Sequence, residues 1–166
     1  HRVKKQHPDA VVAVCGCYSQ THADDVRALE VDLLSGTGDR QGFLDLLEQL
    51  ARTREKAVAL DDPFRRRVFE ALPAGGLEGR TRAMLKVEDG CTNFCAYCII
   101  PYARGRCRSL PPEELRRAAS TFAEHGYQEL VLCGINLGFY GMEWGGSLAD
   151  AVELCCTIPG AGAHGD

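Results

Sequence analysis

Three cysteines lie within eight residues of this chain, in the run Cys91-Thr-Asn-Phe-Cys95-Ala-Tyr-Cys98. This spacing brings three thiolates from one short loop around a single small inorganic centre. The residues that follow, Ile99-Ile100-Pro101, give the loop an apolar anchor. Thiolates grouped in this way serve a zinc site, an iron–sulfur cluster or disulfides. The segment is therefore predicted to be a ligand loop for a metal or a cluster.

The spacing favours an iron–sulfur cluster and leaves zinc open. A structural zinc site needs a fourth Cys or His ligand, and the nearest candidate is Cys107, in an Arg-rich stretch. A cubane held by three cysteines instead leaves one iron without a protein ligand, which is the open coordination of a catalytic centre. The alternative is a zinc-binding RNA-recognition module in which Cys107 is the fourth ligand and arginines contact phosphates.

The composition argues against a disordered chain and against a secreted disulfide scaffold. The 166 residues are 45% hydrophobic, which is enough for one domain or two small ones with a core. The cysteines number nine, and no apolar signal segment or membrane-length apolar run accompanies them. An odd count in such a chain predicts a reducing, cytoplasmic location, no membrane segment, and metal rather than disulfide use.

The charge is unevenly distributed along the chain. The net charge of −4 carries no nucleic-acid signature. Residues 63–117, however, contain 11 Arg and Lys against 6 Asp and Glu, and this basic segment includes the cysteine loop. Its side chains could face the phosphates of a nucleic acid, or they could form the solvated faces of helices and loops.

The first part of the chain shows alternating strand and helix patterns. Strands are predicted at 10–15 and 31–34, a short helix at 24–29, and a longer helix after the N-cap residue Asp39. Such alternation indicates an α/β layer with parallel strands. The periodicity then breaks down, and residues 57–76 are interpreted as a linker between domains.

The second part repeats the strand–loop–helix pattern twice. A strand at 82–87 leads into the cysteine loop, and a helix begins at Pro111-Pro112. The apolar stripe of this helix is predicted at Leu115, Ala118, Ala119, Phe122 and Ala123. A second strand at 128–133 leads into a glycine-rich loop, and Ser147 begins the last helix. Two such steps are typical of a parallel barrel or a doubly wound sheet, in which the chemistry lies at the carboxyl ends of the strands.

Longer runs of residues resemble a known family. Residues 88–106, Glu-Asp-Gly-Cys-Thr-Asn-Phe-Cys-Ala-Tyr-Cys-Ile-Ile-Pro-Tyr-Ala-Arg-Gly-Arg, resemble the methylthiotransferase branch of the radical S-adenosylmethionine enzymes. Residues 16–20 (Gly-Cys-Tyr-Ser-Gln) and 36–40 (Gly-Thr-Gly-Asp-Arg) resemble the end of that branch's amino-terminal domain. Residues 134–141 (Gly-Ile-Asn-Leu-Gly-Phe-Tyr-Gly) are most similar to the enzymes that methylthiolate N6-threonylcarbamoyladenosine in tRNA.

The resemblance implies an α/β fold class with two domains. Residues 1–56 would be the end of a Rossmann-like amino-terminal methylthiotransferase domain, which carries an auxiliary cluster in this family. Residues 77–166 would be the first part of a radical S-adenosylmethionine (β/α)6 partial barrel. The family's barrel has six β/α units, of which this chain would supply about two. The chain begins at His1 without an initiator Met, and we expect it to be an internal fragment that is inactive alone.

The resemblance also implies cofactors and their ligands. Cys91, Cys95 and Cys98 would hold a 4Fe-4S cluster whose remaining iron binds S-adenosylmethionine. Cys17 would be one of three ligands of the second, auxiliary 4Fe-4S cluster, which carries the sulfur that is methylated and transferred. Further positions are implied near S-adenosylmethionine, at Tyr97, Gly134, Ile135 and Asn136.

The partners implied by the resemblance are tRNA, S-adenosylmethionine and an electron donor of unknown identity. The methylthio group would be added at C2 of the adenosine at position 37, next to the anticodon. Isopentenyladenosine tRNA and a ribosomal protein are alternative substrates of the same branch. The guanidinium of Arg104, which lies close to the cluster loop in sequence, could hold a carboxylate or a phosphate of the substrate.

Overall fold

The computed structural model describes residues 2–71 and 81–159, which divide into two compact units. The first unit comprises the residues up to Arg66 together with Asn93–Gly105. The second unit comprises Arg67–Thr92 together with the residues from Arg106 onward. Each unit contains its own parallel strands and is described separately.

The first unit contains a three-stranded parallel sheet. Its strands are β1 (Ala13–Val14), β2 (Leu33–Ser35) and β3 (Ala57–Ala59), and β2 lies between the other two. The side chains of Leu33 and Leu34 are 0% and 1% exposed, as expected for the central strand of a parallel sheet. The two strands predicted in this region are present, although the hydrogen-bonded ladder includes only part of each.

The helices of the first unit differ in length, and the longest of them is capped at both ends. Asp39 accepts a hydrogen bond from the amide of Gly42 at 3.0 Å, and Arg54 ends the helix in the left-handed conformation. The N-cap predicted at Asp39 is therefore confirmed. The helices are α1 (Arg2–Gln6), α2 (Cys17–Thr21), α3 (Ala23–Arg27), α4 (Arg40–Thr53) and α5 (Ile100–Arg104).

The start of the predicted linker is part of the sheet. Ala57–Ala59 pairs with β2, and Pro63–Arg65 forms a single 3-10 turn capped by the carboxylate of Asp62. An Ala-Val-Ala strand is too short for its periodicity to be recognised in a sequence. Residues 72–76 of the predicted linker and residues 160–166 of the predicted barrel segment lie outside the described residues. The domain boundaries themselves stay a prediction.

Among its described residues, the second unit contains two pairs of strands and two α-helices. The strand β4 (Arg82–Lys86) is parallel to β7 (Glu129–Cys133), and β5 (Glu88–Asp89) is antiparallel to β6 (Arg108–Ser109). The helices are α6 (Pro112–Glu124) and α7 (Leu148–Cys156), and a 3-10 turn covers Leu137–Phe139. The strands and helices predicted for this part of the chain are all present.

The core of the second unit forms around the apolar stripe of α6. Leu115, Ala119 and Phe122 are buried, as the spacing of apolar residues predicted. The ring of Phe122 packs edge-on against Tyr127, with the ring centroids 5.4 Å apart. Between these two residues Gly126 adopts φ 82°, the left-handed conformation that commonly ends a helix.

The fold is thus mixed α/β with parallel strands in both units, and it is compatible with a Rossmann-like fragment. In residues 2–71 and 81–159, every helix is too short or too polar to cross a membrane.

Replacing Leu115 by Ala should destabilise the second unit. The side chain is 0% exposed, and truncating a buried Leu typically costs about 2–5 kcal/mol. Arg116→Ala is the matched control, because Arg116 is exposed on the same helix and such a change stays within about 0.5 kcal/mol. Urea unfolding of the 166-residue chain measures both. Equal effects of the two substitutions would contradict the placement of α6.

Candidate functional site

A buried carboxylate from β5 holds the turn that follows β7. The side chain of Glu88 is 0% exposed, and its Oε2 accepts a hydrogen bond from the backbone N–H of Asn136 at 2.7 Å. Its Oε1 accepts a hydrogen bond from the thiol of Cys107 at 3.3 Å. Because β4 and β7 are adjacent and parallel, their carboxyl ends lie at the same edge. The segments that continue from these strands therefore meet at Glu88.

Burial shifts the pKa values of the Glu88 carboxyl and of the Cys107 thiol. Desolvation raises the pKa of the Glu88 carboxyl, while hydrogen bonds from Asn136, Cys107 and Ile135 lower it, and nearby Asp89 raises it further. Desolvation and the Glu88 carboxylate raise the pKa of the Cys107 thiol to about 12. Cys107 therefore stays protonated at neutral pH and acts as a hydrogen-bond donor.

The glycine of the turn is required by the close approach of Glu88. A Cβ atom added at Gly134 would lie 2.8 Å from Oε2 and 2.9 Å from Cβ of Glu88. Real Cβ atoms essentially never approach so closely, so any larger residue would push the turn and the carboxylate apart. This contact gives a physical reason for a glycine at the beginning of the turn.

The turn places an amide beside the first cysteine of the loop. The side-chain Nδ2 of Asn136 donates to the Sγ of Cys91 at 3.9 Å, and Cys91 is 8% exposed. Ile135, which lies between Gly134 and Asn136 in the sequence, is 39% exposed. The second unit thus brings together three residues that the sequence analysis assigned to the site, Cys91, Gly134 and Asn136. It joins them through Glu88, which the sequence analysis did not assign.

The loop after β7 has a second anchor on β6. Ser109 donates through its backbone N–H and its hydroxyl to the carboxylate of Glu143, at 2.7 and 2.9 Å. The same hydroxyl accepts a hydrogen bond from the amide of Gly141 at 3.0 Å, and Tyr140 donates to the carbonyl of Leu110 at 2.9 Å. The loop is therefore fixed at both ends by hydrogen bonds to residues distant in sequence.

The remainder of the cysteine loop belongs to the first unit. Cys95 is exposed and Cys98 is half-buried, and the amide of Cys98 donates to the carbonyl of Cys95 at 2.9 Å in a tight turn. Tyr97, predicted to lie near S-adenosylmethionine, is 93% exposed. Phe94 has a positive φ of 46°, and its ring contacts Tyr102 at a centroid distance of 5.7 Å.

The donor atoms of the cysteine loop are of the types that suit an iron–sulfur cluster. Thiolates are the ligands that such clusters use, and an amide donor beside a ligand sulfur, as at Asn136 and Cys91, is a typical outer-shell contact. Within the described residues, no three His, Cys, Asp or Glu side chains come close enough to hold a metal ion. The fit therefore rests on the chemistry of the thiols and on the turn beside Cys91.

The predicted auxiliary ligand Cys17 begins α2 in the first unit. It follows Gly16, whose φ of 118° provides the sharp turn out of β1, and it is half-buried. The hydroxyl of Ser19 donates to the carbonyl of Ser35 at 2.6 Å and attaches α2 to the sheet. The helix packs against α5, whose last residue is the half-buried Arg104.

A guanidinium at Arg66 organises the glycine-flanked loop after β2. It forms an ion pair with Asp61, donates to the hydroxyl of Thr37 at 2.7 Å and donates to the side-chain carbonyl of Gln20 at 3.1 Å. The Thr37 hydroxyl in turn donates to the carbonyl of Ala103 in α5 at 2.5 Å. The motif residues 16–20 and 36–40 are thereby tied to the helix that follows the cysteine loop.

Several cations of the basic segment are paired with carboxylates of the chain itself. Lys86 contacts Asp89 at 2.6 Å, Arg82 contacts Glu129 at 2.8 Å, and Arg108, whose side chain is 6% exposed, lies 3.6 Å from Asp89. Arg80 lies outside the described residues. The surplus of basic residues therefore overstates the charge that these positions offer to a phosphate.

Comparison with known proteins gives relatives over most of the chain, although no family model matches it. Threonylcarbamoyladenosine tRNA methylthiotransferase of Bacillus subtilis is 42% identical over 141 residues, 84% of this chain and 31% of that protein. The enzyme of the same name from Thermotoga maritima is 35% identical over 159 residues, 95% of this chain and 36% of that protein.

A second group of relatives has a different named substrate. The tRNA-2-methylthio-N(6)-dimethylallyladenosine synthase of Moorella thermoacetica is 36% identical over 146 residues, 86% of this chain and 32% of that protein. The chain spans about a third of the length of these curated relatives. These similarities agree with the resemblance carried by the cysteine loop and the Gly134 turn, and the chain belongs to the radical S-adenosylmethionine methylthiotransferase family.

Proposed function

We propose that the protein to which this chain belongs methylthiolates tRNA. The observation that best supports this proposal is the contact between the first cysteine of the loop and the turn after β7, where the amide of Asn136 meets the sulfur of Cys91. A family-typical cysteine loop and a family-typical glycine turn, distant in sequence, thus adjoin in one unit. The relatives with 35% and 42% identity are named as tRNA methylthiotransferases.

In this proposal Cys91, Cys95 and Cys98 are the ligands of a 4Fe-4S cluster that binds S-adenosylmethionine. When bound, this pair supplies one-electron chemistry that protein side chains lack. The chain's own residues bind and orient the cluster and S-adenosylmethionine. The three thiolates provide the protein ligands, the Asn136 amide donates to the Cys91 sulfur, and Gly134 leaves room for Glu88.

Further residues receive proposed roles in the same scheme. The exposed ring of Tyr97 and the exposed Ile135 are available to contact S-adenosylmethionine. Cys17 is one ligand of an auxiliary 4Fe-4S cluster. Arg104 is a candidate contact for a substrate phosphate or carboxylate. An electron donor is also required, and tRNA as substrate implies a cytoplasmic location.

The finer proposal is that the substrate carries threonylcarbamoyladenosine at position 37 and is modified at C2. It is supported by residues 134–141, which resemble that branch, and by the names of the relatives from Bacillus subtilis and Thermotoga maritima. The relative from Moorella thermoacetica, with the other named substrate, is 36% identical. Overall identity therefore does not separate the two substrates, and a direct test is needed.

Anaerobic reconstitution of the chain with iron and sulfide tests the cluster. We expect about four iron and four sulfide per chain, a visible absorption band, and loss of both when Cys95 is replaced by Ala. Cys156→Ala is the control, because Cys156 is exposed in α7, away from the cysteine loop in sequence. Stoichiometric zinc without acid-labile sulfide would instead support the zinc module and contradict the proposal.

The thiol of Cys107 should react slowly with alkylating agents at neutral pH. Only the thiolate attacks iodoacetamide, and a pKa raised to about 12 leaves Cys107 protonated up to high pH. Peptide mass spectrometry between pH 7 and pH 10 should show the exposed Cys156 modified well before Cys107. Modification of Cys107 at the rate of Cys156 near pH 8 would restore it as a candidate zinc ligand.

A chimera tests the substrate. The segment of the Bacillus subtilis relative that matches this chain, 141 residues long, would be replaced by the corresponding residues of this chain in a strain that lacks the relative. We expect the 2-methylthio form of threonylcarbamoyladenosine to reappear in hydrolysed tRNA, measured by mass spectrometry. The same chimera with Cys95→Ala should give none. A chimera that folds, binds iron and modifies no tRNA would contradict the proposal.

A further inference from the structure

We propose that Glu88 is a positioning residue of the site, whose buried carboxylate fixes the Gly134–Asn136 turn against Cys91. The inference rests on the proposed function, since this turn is the segment proposed to contact S-adenosylmethionine. Glu88 itself would touch neither the cofactor nor the substrate. Its effect would be exerted through the turn and, through Asn136, on the sulfur of Cys91.

The donors around Glu88 explain why it can hold the turn. A carboxylate only accepts hydrogen bonds, and Glu88 faces two donors: the backbone N–H of Asn136 at 2.7 Å from one oxygen and the thiol of Cys107 at 3.3 Å from the other. Hydrogen bonds to an ionised acceptor are short and strong. With no exposure to water, the carboxylate depends on these donors, and the turn depends on the carboxylate.

The turn and the carboxylate are also shaped to fit one another. Gly134 has no Cβ at the position where one would lie 2.8 Å from the carboxylate oxygen. This contact sets how closely the backbone approaches β5, and the amide of Asn136 extends from that backbone to the Cys91 sulfur at 3.9 Å. Loss of the carboxylate should therefore release the turn and uncover Cys91, which is 8% exposed.

The first test measures the reactivity of Cys91 in the chain without any cluster. Reduced, anaerobic protein is treated briefly with iodoacetamide, and the modification of each cysteine is followed by peptide mass spectrometry. Glu88→Ala should raise the rate at Cys91 by about tenfold or more, because the turn opens when its anchor is lost. Glu88→Gln retains an acceptor for the Asn136 amide and should give a smaller increase.

Two internal controls separate this effect from general unfolding. Glu129→Gln removes an exposed carboxylate at the start of β7, the strand that leads into the same turn, and it should leave Cys91 unchanged. The rate at Cys156, exposed in α7, should be the same in all variants. If Glu88→Ala accelerates every cysteine, the chain has unfolded, and Glu88→Gln then decides on folded protein, where an unchanged rate at Cys91 overturns the inference.

A double substitution tests whether Glu88 and Gly134 act through one contact. Gly134→Ala places a methyl group against the carboxylate and should also accelerate Cys91. In a Glu88→Gly background, both the Oε2 and the Cβ atom that the added methyl group would meet are absent, so the second change should add little. Multiplicative effects of the two substitutions would show that the residues act independently and would overturn the inference.

A final measurement keeps the inference and the proposed function distinguishable. In the chimera, Glu88→Ala should raise the KM for S-adenosylmethionine by about tenfold while the iron content stays the same, and Glu88→Gln should restore part of the affinity. An unchanged Cys91 rate in folded Glu88→Ala protein overturns the inference, whatever the chimera does. A parent chimera that binds no S-adenosylmethionine overturns the proposed function while the result for Cys91 stands.

Discussion

The carboxylate of Glu88 has no access to water, and several features of the second unit follow from that constraint. A buried charge is costly unless donors surround it, and here the donors are the backbone of the turn after β7 and the thiol of Cys107. The same carboxylate excludes any side chain at Gly134. Desolvation, and after it the interaction with this carboxylate, raise the pKa of the Cys107 thiol to about 12. One buried group thus fixes the turn and its glycine and contributes to the protonation of a nearby cysteine.

In the first unit, a largely buried side chain of the opposite charge is likewise surrounded by hydrogen-bonding partners. The side chain of Arg66 is 12% exposed, and its guanidinium is surrounded by acceptors from Asp61, Thr37 and Gln20. Its planar fork suits several acceptors at once. A Cβ atom at Gly38 would lie 2.8 Å from this guanidinium, as one at Gly134 would from Glu88. In both units, a glycine-containing loop after a parallel strand is therefore held by a largely buried ionic side chain.

The sequence predicted what is local and missed what depends on distant partners. The helix α6, its stripe at Leu115 and Phe122, and the cap at Asp39 were correctly predicted, because propensity and periodicity reside in neighbouring residues. The strand β3 was not predicted, since three residues carry no period and pairing with β2 creates the strand. The role of Glu88 was not predicted, although the residue is part of the 88–106 motif, because its partner Asn136 is 48 residues away in the sequence.

The candidate site has two parts, the turn after β7 and the cysteine loop, and different forces hold them. A hydrogen bond of the protein itself holds Asn136 against Glu88, and Gly134 lies close to the same carboxylate, so this part is determined by the chain. The cysteines have no comparable attraction for one another, because thiols are weak hydrogen-bond partners and thiolates repel. Binding of a centre is what would order the proposed ligands, so that folding of the loop and ligation are coupled. The turn beside Cys91 needs no such partner, because the chain itself supplies its hydrogen bond to Glu88.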